Sequence, residues 1–271
     1  MDNNPAPRGA LSGKVGVVTG AGSGIGRAVA LAFARQGADV VAADFDAPRN
    51  DHTVEEILRL RTAERAIGLS TDIRSDASVR SLAHGAIKSM GHVDILVNAA
   101  GVLLQGKLDR ITSHDWNWML ETNLVGPIRT VNSLLTHMTQ RGSGHIINIV
   151  SYGAVRSGDP NTIAYDTGHA ALAAFTEGLA QQMKGTGVNV SLFCVGQKAP
   201  RLGQNTRSRG VGRWLRDDSP PEAGRQLNEQ MASSIVQAVH HPRFLIAGDP
   251  EDLPALEQRW GHVDAEPTPV A

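Results

Sequence analysis

Residues 15–26 read Val15-Gly16-Val17-Val18-Thr19-Gly20-Ala21-Gly22-Ser23-Gly24-Ile25-Gly26. An apolar, β-branched run ends at Thr19, glycines follow at alternate positions, and a helical pattern begins at Gly24. Strand, glycine turn and helix in that order form the context a phosphate-binding turn requires. Gly20 permits the tight turn, while Gly24 and Gly26 let a pyrophosphate approach the N–H groups at the helix N-terminus. Ser23 and Ile25 lie in the same turn and share the assignment. Without that context a glycine turn is an ordinary loop.

Outward from this turn the same rhythm repeats. Short β-rich runs occur at 15–19, 39–43, 66–69, 94–97, 145–150, 188–194 and 243–247, and helical patterns separate them at 24–36, 54–64, 76–90, 113–139, 163–184 and 221–240. This alternation predicts an α/β fold: a Rossmann-type doubly wound sheet of seven mainly parallel strands with helices on both faces. Right-handed crossovers then put ligand chemistry at the carboxyl ends of the strands. Asp44 ends the second strand 18 residues after Gly26, suitably placed to accept hydrogen bonds from adenosine ribose hydroxyls and to repel a 2′-phosphate. That reading favours NAD over NADP; the alternative is a turn aspartate.

A chain of 271 residues, 41% hydrophobic, can bury one large core, and a single domain over 11–250 is expected. Residues 1–10 read as a flexible arm and 251–271 as a C-terminal tail, its end from Asp264 disordered. The formal net charge of -1 provides no global field for nucleic acid or anionic lipid, so a small-molecule substrate is the expected partner. No apolar run approaches the ~20 residues that span a bilayer, and the first residues lack a signal-peptide pattern, so a cytoplasmic protein is expected. Cys194, the single cysteine, lies in an apolar strand pattern and cannot form an internal disulfide. No cluster has metal-ligand spacing. Residues 196–221, with five arginines and several glycines and prolines, break the rhythm and read either as a substrate lid or as a solvated loop.

In several stretches the chain resembles the short-chain dehydrogenase/reductase family, from Leu11 to about Asp249. Residues 19–26 match its Thr-Gly-x-x-x-Gly-x-Gly turn, Asp72-Ile73 is similar to its adenine-side Asp-Val pair, and Asn98-Ala99-Ala100-Gly101 resembles its Asn-Asn-Ala-Gly run. Asn123, Ser151 and, 14 residues later, Tyr165 match the family's active-site asparagine, serine and tyrosine. The resemblance implies NAD(P) binding through these residues. It also implies a homodimer or homotetramer built on the helices expected at 113–139 and 163–184. In the family the tyrosine transfers a proton, the serine holds the substrate oxygen, the asparagine anchors a relay water, and a lysine one helical turn after the tyrosine grips the nicotinamide ribose.

Here that turn carries His169 instead of lysine. A cation ~5 Å from a phenolate at an effective dielectric near 20 contributes about 3 kcal/mol, or roughly two pKa units, and a neutral histidine forfeits much of it. Protonation near pH 6.5 would restore a charge, predicting better reduction in mild acid; the alternative is a drifted residue without a proton-transfer role. A second departure follows the sixth strand, where Cys194-Val195-Gly196-Gln197-Lys198-Ala199-Pro200 keeps Gly196 of the nicotinamide seat but has Val195 for the family's proline and Pro200 near its threonine. Three functions fit: an NAD-dependent oxidoreductase interconverting a secondary alcohol and a ketone through Asn123, Ser151, Tyr165 and His169; a redox-neutral isomerase, lyase or cyclase using the same residues; and a catalytically silent NAD-binding subunit.

Overall fold

The computed structural model describes residues 9–60, 62–63, 65–156, 159–196, 205–211 and 221–264. Strands β1 (Val15–Thr19), β2 (Asp39–Asp44), β3 (Ala66–Ser70), β4 (Ile95–Asn98), β5 (Leu103–Gly106), β6 (Gly144–Ser151), β7 (Val188–Val195), β8 (Thr206–Arg209) and β9 (Leu245–Ala247) alternate with helices. These are α1 (Gly24–Arg35), α2 (Ala47–Leu60), α3 (Asp76–Met90), α4 (Ser113–Leu120), α5 (Gly126–Arg141), α6 (Ile163–Gln182), α7 (Pro221–His240) and α8 (Leu253–Asp264).

Seven strands form one sheet in the order β3-β2-β1-β4-β6-β7-β9, and every neighbouring pair is parallel. Because side chains alternate along a strand, β1 and β2 feed both layers. Val15, Val17, Val41 and Ala43 pack with Leu82, Val131, Leu134 and Leu179 of α3, α5 and α6 on one face; Val18, Val40 and Ala42 pack with Val29, Phe33, Ile235 and Val236 of α1 and α7 on the other. Strand order reverses between β1 and β4, which opens the crevice where α/β sheets bind ligands.

Four elements depart from the sequence expectation. Helix α2 starts at Ala47, seven residues before the expected Val54. Its first turns are buried through polar side chains, Asn50 Nδ2 donating to Ala42 O (2.8 Å) and Thr53 Oγ1 to Ala21 O (2.9 Å), so an apolar period could not reveal it. The long helix expected at 113–139 is interrupted by a π-turn at Glu121–Val125. Pro127, just inside α5, has no N–H to continue the α-helical ladder across that joint. Part of the irregular segment 196–221 is regular, since β8 pairs in parallel with β5 as a separate two-stranded sheet; residues 197–204 and 212–220 lie outside the described residues. The segment expected as a C-terminal tail carries α8, whose Leu256 and Trp260 are buried with Leu172, Phe244 and Leu245. Residues 1–8 and 265–271 likewise lie outside. No described helix is long and apolar enough to cross a membrane.

Candidate active site

The carboxyl ends of β1, β2 and β4 frame a cavity of about 630 Å³. Gly20, Ser23, Gly24, Ile25, Gly26, Asp44, Asp72, Ile73, Ala99 and Gly101, all expected as cofactor residues, line it. Gly20 has φ +70°, and a Cβ there would stand 2.8 Å from the Ala100 backbone. Gly24 has φ +54°, with open space where its Cβ would be. A backbone surface therefore faces the cavity at the start of α1. Ser23 makes no side-chain capping bond, and the first turn holds no acidic residue. By contrast, Thr112 and Asp115 cap α4 reciprocally. The free N–H groups and helix dipole at α1 fit a dinucleotide pyrophosphate.

Asp44 is locked to this turn. Its Oδ2 accepts from Gly22 N at 2.9 Å and its Oδ1 from Asp46 N at 2.8 Å, so the carboxylate stays at the cavity rim with lone pairs left for ribose hydroxyls. Asp72 accepts a two-point fork from Arg74 (2.8 and 2.8 Å), which holds its carboxyl below the usual range. Thr19 Oγ1 accepts from Ala99 N and Ala100 N (3.2 and 3.3 Å), tying the first loop to the fourth strand.

Four expected cofactor residues, Asn98, Tyr165, His169 and Gly196, are not among those that line the cavity. Asn98 is buried inside the sheet; its Nδ2 donates to Asn148 Oδ1 (2.8 Å) and its Oδ1 accepts from Thr130 Oγ1 (2.6 Å). It steadies the sheet, and Ala99, Ala100 and Gly101 line the cavity instead. Gly196 is buried where a Cβ would meet that of Asp249 at 2.7 Å, so packing against the C-terminal turn holds it.

At the other end, three of the four expected catalytic residues, Ser151, Tyr165 and His169, are brought together. Ser151 closes β6, and α6 presents Tyr165 and His169 one turn apart, their ring centroids 4.3 Å from each other. The Tyr165 hydroxyl shares a hydrogen bond with the Ser151 side chain. Burial pushes the phenol above its ordinary range, the Asp166 carboxylate adds to the rise, and the Ser151 bond offsets only part of it. Asn123, in the π-turn, donates from Nδ2 to Val102 O (2.8 Å) and accepts at Oδ1 from Val102 N (2.9 Å). It thus holds the loop after Gly101 in place.

His169 corrects the expectation of a cation in mild acid. Burial lowers its pKa to about 4. Its Nδ1 also accepts the Ser151 N–H at 3.1 Å, an acceptor role that a protonated Nδ1 could not fill. The ring is therefore neutral with its proton on Nε2, and that buried Nε2 meets no partner among the described residues.

How β8 is fixed beside this site is not legible in the sequence. Arg209 forks onto Asp115, Arg207 stacks over Trp118 with 3.9 Å to the ring centroid, and Gln105 Nε2 donates to Ser208 Oγ at 2.8 Å. These partners stand ~100 residues apart in the chain, beyond any local period.

Comparisons with known proteins agree with this fold. The short chain dehydrogenase family model matches residues 14–209. The chain belongs to the short-chain dehydrogenase/reductase family. An uncharacterized oxidoreductase of Staphylococcus aureus (strain MW2) is 33% identical over 186 residues, covering 69% of this chain and 78% of that protein. The solved short-chain dehydrogenase/reductase from Burkholderia phymatum in complex with NAD is 29% identical with a TM-score of 0.77, over 96% of this chain and 99% of that one. The 3-ketoacyl-(acyl-carrier-protein) reductase from Brucella melitensis complexed with NADH is 28% identical with a TM-score of 0.65, over 69% and 76%.

Proposed function

We propose that the protein is an NAD-dependent oxidoreductase that reduces a ketone to a secondary alcohol on a small organic substrate, through an atypical centre of neutral donors. The observation carrying this reading is the Tyr165 hydroxyl, hydrogen-bonded to Ser151 and kept protonated by burial and by Asp166. A protonated phenol is the form a general acid needs and the wrong form for a base.

The turn at residues 20–26 and Asp44 would hold NADH, which would supply the hydride for the carbonyl carbon. Ser151 donates a hydrogen bond to the carbonyl oxygen, Tyr165 delivers the proton to it, and Asn123 keeps the adjoining loop in register. His169, through Nε2–H, is a neutral donor for a nicotinamide ribose hydroxyl, doing by hydrogen bond what a lysine does by charge. Asp44 at the cradle supports NAD over NADP. A homodimer or homotetramer on the 113–139 and 163–184 helices, working in the cytoplasm, completes the proposal.

A catalytically silent NAD-binding subunit is the second reading. It draws on the cavity lining, which includes the nucleotide cradle but none of Ser151, Tyr165 and His169. Nicotinamide absorbance followed with panels of ketones and alcohols separates the possibilities. Ketone-dependent NADH loss, faster than alcohol oxidation at neutral pH, is the expected result. Product without net NADH change would point to a redox-neutral catalyst, and NADH binding without turnover to the silent subunit.

A further inference from the structure

Three arginines among the described residues line the cavity: Arg49, Arg74 and Arg207. The first two face carboxylates of their own, Arg49 with Asp46 at 3.3 Å and Arg74 with Asp72 at 2.8 Å. Arg207 shares one. Its Nη1 stands 3.7 Å from Asp115 Oδ1, beyond hydrogen-bond length, because Arg209 already takes both oxygens of that carboxylate at 2.9 and 2.6 Å. Thr112 adds donors from its N–H (3.1 Å) and its hydroxyl (2.8 Å). Three of the four bonds to buried Asp115 fall on Oδ2, and its Oδ1, the oxygen nearest Arg207, is held by Arg209 Nη2.

Two guanidiniums on one carboxylate leave one positive charge uncompensated among the described residues. That charge is fixed in orientation. The Arg207 guanidinium lies 3.9 Å from the Trp118 ring centroid, and β8 pairing sets its backbone opposite Leu104. A stacked, planar fork with unused donors on a cavity wall is preorganised for a planar or tetrahedral oxyanion.

We propose that Arg207, over Trp118, is a specificity-determining residue that binds an anionic group of the ligand, a carboxylate or a phosphate. The proposal rests on the reading of this cavity as a dinucleotide and ketone site. The anion has two sources there, the dinucleotide pyrophosphate and an acid group on the substrate.

Binding titrations of wild type, Arg207→Gln and Arg207→Lys test it without requiring turnover. The probes are ADP against adenosine, and phenylglyoxylate in the presence of NADH against its methyl ester. Arg207→Gln is expected to weaken at least one anionic probe by about tenfold or more, equal to about 1.4 kcal/mol, while sparing its neutral counterpart; Arg207→Lys should fall between. Weakening confined to ADP assigns the anion to the pyrophosphate, and weakening confined to phenylglyoxylate assigns it to the substrate. Anionic probes that bind both variants as tightly as wild type, that fail to bind wild type, or that weaken only together with their neutral counterparts would overturn the proposal. Anion binding through Arg207 in a protein that reduces no ketone would instead refute the oxidoreductase reading and leave this one standing.

Discussion

The two ends of the crevice are built on opposite principles. At the nucleotide end, backbone is exposed: Gly24 faces open space, the first turn of α1 is left uncapped by its own side chain, and Asp44 is held at the rim by Gly22 N–H. At the catalytic end polar side chains are withdrawn into one another, with Tyr165 on Ser151, Ser151 N–H on His169, and Asn123 spending both polar atoms on Val102. One end is set by conformational demands that only certain residues meet. The other is set by burial, which decides protonation states that residue types alone do not.

The largest effect that could break this contrast is Tyr165→Phe. Losing a general acid costs roughly 10²–10⁴-fold in rate, so ketone reduction should fall by about three orders of magnitude while calorimetry shows NADH binding intact. A rate within a few-fold of wild type would remove Tyr165 from the chemistry. At the opposite end, Gly20→Val combines a positive φ with a Cβ 2.8 Å from the Ala100 backbone. It should cost about 3 kcal/mol in denaturant unfolding and weaken NADH binding together.

Acid sharpens the comparison, because it acts on buried histidines and leaves backbone untouched. Burial lowers His169 and His145 to about 4, from 6.5. The unfolded chain therefore takes up protons first, and the stability that the neutral rings provide is complete above pH 6.5 and lost as pH falls toward 4. At about pH 5 each ring costs about 2 kcal/mol. His169→Asn, which keeps an acceptor for the Ser151 N–H, should lose that share of acid sensitivity in unfolding measurements at several pH values. Ketone reduction by the wild type should gain nothing between neutral pH and pH 5; a rise would mean that His169 becomes a cation after all. The smallest effect is at the rim: Asp44→Ala should shift the NADP-to-NAD affinity ratio by about tenfold toward NADP, as expected for removal of a single repelling charge.

The fold was legible in the chain wherever burial was apolar. The β1 and β2 runs and the glycine turn could be read directly, since parallel strands buried on both faces are continuously apolar and a turn with φ > 0 needs glycine. The start of α2 was not, because Asn50 and Thr53 do the burying there. Nor was β8, whose partners Leu103–Gly106 and Asp115 lie far off in sequence. In the site, residue identities were legible and their electrostatics were not. His169 could be named from its spacing, but its neutral state depends on an enclosure and on a Ser151 N–H that no spacing encodes.

Helix α8 has a practical consequence for anyone handling the protein. β9 is three residues long, stands last in the sheet and, among the described residues, is paired with β7 alone. Leu256 and Trp260 cover the residues beside it. Shortening the chain before Leu253 would uncover both an apolar patch and a free strand margin, the combination that invites molecules to stick to one another.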